Sequence, residues 1–372
     1  MAYAYTPGLT VTKNTVIRRK RILPLRGIVL KKKDDVVSAE DVVAKTDLPG
    51  SVETINIINR LGVSPQDIHE YMLKKEGETV TENESIAQTK PLISWFKTVV
   101  KSPVAGTIEK ISEVTGQVLI RQKPQPVEVM AYIDGKVVEV FEQEGVTVQT
   151  KASFIQGIFG IGHETSGTLR IMINNPEEEI DINKIDQSCK DAIIISGSII
   201  TTELIKKANQ FGVRGIISGG IDAKTIKDYL GYDLGVAITG SEDIPTTVVI
   251  TEGFGKIRMA TRTFDLLCEC AGKKAALSGA TQIRAGVIRP EIIIPVTETS
   301  SAAEIPERES IKSGDPVRMI REPYFGQIGK VLELPPDLVK IESEAKVRIM
   351  SVELQDGEKI TVPRANVELI ES

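Results

Sequence analysis

Hydrophobic and polar positions along this chain of 372 residues follow two different periods. Up to about residue 165, apolar residues come in short β-branched runs separated by charged turns. "LKKKDDVVSAEDVVAKT" (30–46) predicts strand, polar turn, valine, short spacer and strand. "LKKEGETVTENESIAQT" (73–89) repeats the phrase with Gly77 at the turn, and shorter echoes stand at 112–122 and 142–157. Such spacing suits a small pleated core with charged turns outside it. Between the first two phrases, "SVETINIINRLGVSPQDIHEYMLKK" has the apolar spacing of one or two short helices, broken near Gly62 to Pro65.

The period changes in the middle of the chain. "DAIIIS" (191–196), "VRGIISGG" (213–220), "GVAITG" (235–240) and "IPTTVVIT" (244–251) are continuous apolar runs, which predict strands buried on both faces. Helical spacing follows in "GSIITTELIKKANQFG", "IDAKTIKDYLG" and "EGFGKIRMATRTFDLLCECAGKK". Strands alternating with helices predict a small parallel α/β domain. "IQGIFGIGHETSGTLRI" (155–171), with glycines at 157, 160, 162 and 167, reads as a hinge before it. "TETSSAAEIPERES" (297–310) has a linker's composition. The resulting division is 1–165, with a helical insert near 52–75; 166–296; a linker at 297–310; and 311–372.

Composition changes this picture little. The chain is 41% hydrophobic and 26% charged, with a net charge of −5, and so argues against a globally basic nucleic-acid binder. Nine basic residues without an acidic one run from Lys13 to Lys33, which suggests either a solvated strand edge or an arm that contacts an acidic partner. Three cysteines and no signal peptide point to a reducing cytoplasm. Cys268 and Cys270 would point apart on a helix, and His69 and His163 are far apart in sequence, so no metal-site spacing is seen, and no apolar run is long enough for membrane insertion.

Candidate chemistry gathers where strands end in small polar loops. In an open parallel sheet the carboxyl ends of the strands collect on one edge, where ligands bind. Ser198, Thr201, Gly219, Gly220 and Asp222 would sit there at helix N-termini, and Arg284 could clamp an anion. The same residue types also serve as helix caps and tight turns. No Ser/His/Asp, Cys/His or paired-carboxylate set converges on that edge, so the reading leans away from an enzyme.

The N-terminal phrases, "PLRGIVLKKKDDVVSAEDVVAKT" and "VKSPVAGTIEKI", resemble the barrel-sandwich hybrid fold of biotinyl and lipoyl domains, and more specifically the hybrid domain of RnfC-type electron-transport subunits. Resemblance to biotinyl and lipoyl domains implies a carrier lysine at a hairpin tip, and resemblance to RnfC-type subunits implies iron–sulfur clusters. The nearest hairpin is "YIDGKVVEV" (132–140), where Asp134-Gly135 signals a type I′ turn and Lys136 follows it. Neither "MKM" nor "DKA" is present, and three cysteines cannot supply the family's iron–sulfur clusters, so no cofactor is expected. The C-terminal stretch, from "KSGDPVRMIREPYFGQIGKVLELPP" to "VRIMSVELQDGEKITVPRANVELIE", resembles a KOW-type SH3-like β-barrel. Such barrels bind RNA or proteins. Nine basic and eleven acidic residues from Ile311 to Ser372 favour a protein partner, unless Arg318, Arg321, Lys330 and Arg364 share one face. Tyr324 and Phe325 would anchor a partner.

The fold class expected is therefore multidomain β and α/β: a barrel-sandwich hybrid, a small parallel α/β domain and an SH3-like β-barrel. The function expected is a cytoplasmic, non-catalytic adaptor that docks protein partners and holds a small anion in the α/β domain. The alternatives are an RNA-associated KOW factor, and an enzyme with its site on the glycine-rich edge.

Overall fold

The computed structural model describes residues 9–90, 97–231, 244–281, 288–296, 312–319, 323–324, 327–335, 338–340, 346–354 and 357–371. The protein is multidomain and β-rich, and among the described residues the buried apolar side chains form four clusters. No helix among the described residues is long and apolar enough to cross a membrane.

The first part of the basic run, Lys13 to Arg21, lies in the first strand, Leu9–Ile22, and is not a free arm. It pairs antiparallel with Gly145–Gln156 along nearly its whole length, from Val11↔Ile155 to Ile22↔Gly145. Alternation puts Ile17 into the core of an N-terminal β unit, with Val37, Val43, Ile133, Val137, Val146 and Val148. The strands Val42–Leu48 and Gln125–Met130 pair antiparallel alongside. Residues 52–121 form a separate β module on the core Ile55, Ile57, Ile68, Ile86, Ile108 and Ile120. The expected helices lie within it, at Ile57–Leu61 and Ile68–Tyr71. Gly62 ends the first in the left-handed conformation.

The central unit contains the expected buried strands, but its sheet is mixed. Glu164–Ile171, Ala192–Ile195, Gly215–Ile221 and Thr247–Phe254 run parallel, each paired to the next. Antiparallel strands Lys274–Ser278 and Glu291–Pro295 continue from Glu164–Ile171 and lead to Gly145–Gln156. The latter runs on through Gly157 and Ile158 into Phe159–Ile161, which pairs with Thr247–Phe254. The N–H of Gly157 donates to Pro290 O and that of Ile158 to Ile250 O, both at 2.8 Å, so the ladder of neighbours closes on itself.

Three sequence expectations change here. The stretch 155–171 is a packed seam and not a hinge. A Cβ on Gly160 would lie 2.7 Å from Gly279 O and from Pro290 Cβ, so its glycine serves close approach. The long third helix is only Thr261–Glu269, because Thr247–Phe254 stays extended to pair Gly253 and Phe254 with Gly220 and Ile221. Gly135 is not a turn residue either. It opens the strand Gly135–Phe141, and the left-handed residue of that corner is Tyr132, at φ 69°. The run 235–240 lies outside the described residues.

The C-terminal unit is an antiparallel meander. Lys346–Leu354 pairs with both Ile328–Glu333 and Lys359–Pro363, and Pro316–Met319 pairs with both Ile328–Glu333 and Val367–Glu371. Its last strand also pairs parallel with the first strand of the chain, Leu9↔Ile370 and Thr10↔Glu371.

Candidate functional site

The carboxyl edge of the parallel strands is occupied by the chain itself. Thr201 Oγ1 accepts from Leu204 N at 3.2 Å and Asp222 Oδ1 from Thr225 N at 2.7 Å, so both cap helices, Thr202–Gln210 and Ala223–Leu230. Ser198 is buried and its N–H donates to Glu178 O, while that of Gly219 donates to Gly197 O. A Cβ on Gly219 would lie 2.2 Å from Ile257 O, and one on Gly220 2.0 Å from Gly255 O. These glycines admit the loop 255–259 against the strand ends. Arg284 lies outside the described residues.

Of the proposed partner-binding residues, Arg318 is buried against the central unit. Arg364 is engaged within its own unit, through Ile349 O on the strand Lys346–Leu354 at 3.2 Å and Pro335 O at 2.8 Å. Tyr324 packs partly on the C-terminal core, and Arg321 and Phe325 lie outside the described residues.

A cavity of about 580 Å³ opens instead at the amino ends of the parallel strands, where the N-terminal β unit meets the central unit. One wall carries Glu40, Met130 and Tyr132. The other carries His163, Glu164 and Ser166, with Asp191, Arg214 and Lys274 completing it. Alternation along the first strand sends Arg19 and Arg21 toward this boundary. Arg21 holds Glu164 in a two-bonded fork at 2.8 and 2.6 Å, lies 5.3 Å over the Tyr132 ring and donates to Met130 O at 2.7 Å. Arg19 grips Glu291 with Nε at 2.9 Å and with Nη2. The Tyr132 hydroxyl donates to the same Glu291 at 3.1 Å.

Lys274 bridges the two units. Its ammonium lies 2.8 Å from both Glu40 Oε2 and Asp134 Oδ1, and Ser166 Oγ donates to Glu40. Burial alone would lower the lysine pKa, but these two carboxylates outweigh it and raise the value. Burial likewise pushes Glu40 up, but bonds from Lys274 and Ser166 prevail and lower it. Arg214 and Asp191 pair across the mouth at 2.9 Å. Tyr132 is buried beside Glu291, and burial first, then the carboxylate, raises its phenol well above the ordinary value. A bulky residue at φ 69° is also an unfavourable backbone state, held only because the surroundings dictate it.

These residues come from segments far apart in sequence, so no local motif marks them; the run of basic residues from Lys13 to Lys33 contains Arg19 and Arg21 but does not single them out. Among the described residues no three His, Cys, Asp or Glu side chains gather as a metal site. Lys136 pairs with Asp34 at 2.9 Å on the surface. A scan against protein-family models finds no match to this sequence, and a comparison with curated proteins finds none that matches.

Proposed function

We propose that the chain is a binding protein that holds a small polar ligand in the cleft between its N-terminal β unit and central unit, and that its other units serve to dock protein partners. The carrying observation is the cleft itself: about 580 Å³, framed by ion pairs between the two units and backed by Tyr132 in its strained conformation. Lys274 and Arg214 alternate round its wall with Glu40, Glu164 and Asp191, a balance that suits a zwitterion better than the simple anion expected at the carboxyl edge. The resemblances to a hybrid domain without its carrier lysine and to a KOW-type barrel support the adaptor part. Arg318 and Arg364 are engaged inside the molecule, which weighs against their use on RNA phosphates.

Native mass spectrometry of the purified protein, followed by thermal shift with amino acids and short peptides, tests the reading. A ligand present at about a hundred times its Kd adds about 2.7 kcal/mol of stability. That gain should vanish in Arg214→Ala and survive in Asp222→Ala. A gain lost only in Asp222→Ala would return the site to the carboxyl edge.

A further inference from the structure

Val317 and Met319 are buried in the core of the C-terminal unit, so the residue between them, Arg318, points out of it. An outward arginine belongs in water, yet Arg318 is only 5% exposed. The carboxyl edge of the central unit covers it. Nη2 lies 2.8 Å from Glu252 Oε2, and Nη1 donates to Thr251 O at 3.2 Å. Glu252 is itself 6% exposed. Its other oxygen accepts the N–H of Ala260 at 2.9 Å, at the start of the helix Thr261–Glu269, where the helix dipole favours a carboxylate. A buried polar line leads away from this point: Thr251 Oγ1 donates to Ser218 O, and Ser218 Oγ to Gly197 O.

We propose that Glu252 and the Thr251 carbonyl form a guanidinium socket, and that Arg318 is its built-in occupant, holding the C-terminal unit against the central one. The selectivity follows from shape. A planar fork reaches a carboxylate and a neighbouring carbonyl at once, whereas an ammonium is a single compact point of charge. Among the described residues Arg318 Nε has no hydrogen-bond partner, and the resident fork engages Glu252 and Thr251 through its two terminal nitrogens. Removing one member leaves the other buried and uncompensated. Emptied of Arg318, the socket is acidic, and its fitting partner is an arginine side chain from another polypeptide.

The test is thermal melting of the full chain carrying Arg318→Ala, with millimolar ethylguanidinium or ethylammonium as the probe. The variant should melt several degrees below wild type, and ethylguanidinium should recover part of that loss where ethylammonium recovers none. Wild type and the double variant Arg318→Ala/Glu252→Gln should respond to neither. Equal rescue by both ions, or rescue that persists without Glu252, overturns the proposal. Should Arg318→Ala fail to fold, Arg318→Lys decides the matter. A melting temperature below wild type is expected, and one equal to it shows that an ammonium serves as well and removes the socket.

Discussion

Tyr132 shows how a single side chain can store strain and set a pH limit. Its phenol is buried and donates to Glu291, which Arg19 also holds. In the unfolded chain a tyrosine loses its proton near pH 10, whereas the folded phenol keeps it to well above that value. Above pH 10 the unfolded state therefore binds fewer protons than the folded one, and stability falls as pH rises. Lys274 acts in the same direction above its unfolded value of 10.5, as does Tyr229, pushed up to about 12 by burial. Replacing Tyr132 by Phe removes one buried hydrogen bond and costs about 1 kcal/mol at neutral pH. It also removes one group from the alkaline titration, worth about 1.4 kcal/mol per pH unit. Urea denaturation should thus show wild type ahead at pH 7 and the two proteins level near pH 11, a figure of about one unit above the ordinary tyrosine value. Parallel curves over that range would clear Tyr132 of the effect.

At the scale of elements, the helices and strands were legible where one local rule governed them. Thr201 and Asp222 are residue types that cap helices, and the structure uses each as an N-cap. The illegible parts were decided by distant neighbours. The glycines at 157–162 looked like a hinge because only the packed state shows Gly279 and Pro290 against them. The candidate edge at 198–222 read as open because nothing local announces that residues 255–259 lie on it. Of the cleft, the sequence displayed the basic run of the first strand but not Glu291, which meets Arg19, nor Lys274, which meets Glu40 and Asp134, both through long-range pairing. The closed edge leads to a contrast between two neighbours. Asp222→Ala should cost about 1 kcal/mol, the worth of one helix cap. Gly220→Ala places a Cβ 2.0 Å from Gly255 O, a backbone atom that cannot swing aside, and should cost about 3 kcal/mol or more. Urea midpoints of the two variants measure this. A nearly neutral Gly220→Ala would mean that the loop 255–259 lifts readily and the edge is open in solution.

For the whole molecule, the first strand works as a spine. Ile17 lies in the N-terminal core, Val11 in the central core, and Leu9 and Thr10 pair with the C-terminal unit. Three of the four cores are thereby tied to one segment and should unfold together. The fourth, at residues 52–121, is attached differently. Its elements pack chiefly on one another, and it joins the rest through a two-stranded neck where Gln122 N donates to Ser51 O and Arg121 Nη1 to Gly50 O. Below the neck, Leu48 and Gln125 are already opposite each other in an antiparallel pair. Replacing residues 49–124 by Asn-Gly should therefore close an ordinary two-residue hairpin and leave the cleft and the spine intact. Calorimetry of the intact chain should then resolve two transitions, and the shortened chain should keep one of them within a few degrees of its original temperature. A drop of more than about 10 °C, well beyond a 1 kcal/mol change in a domain of this size, would show that the module supports the N-terminal core and is not merely carried by it.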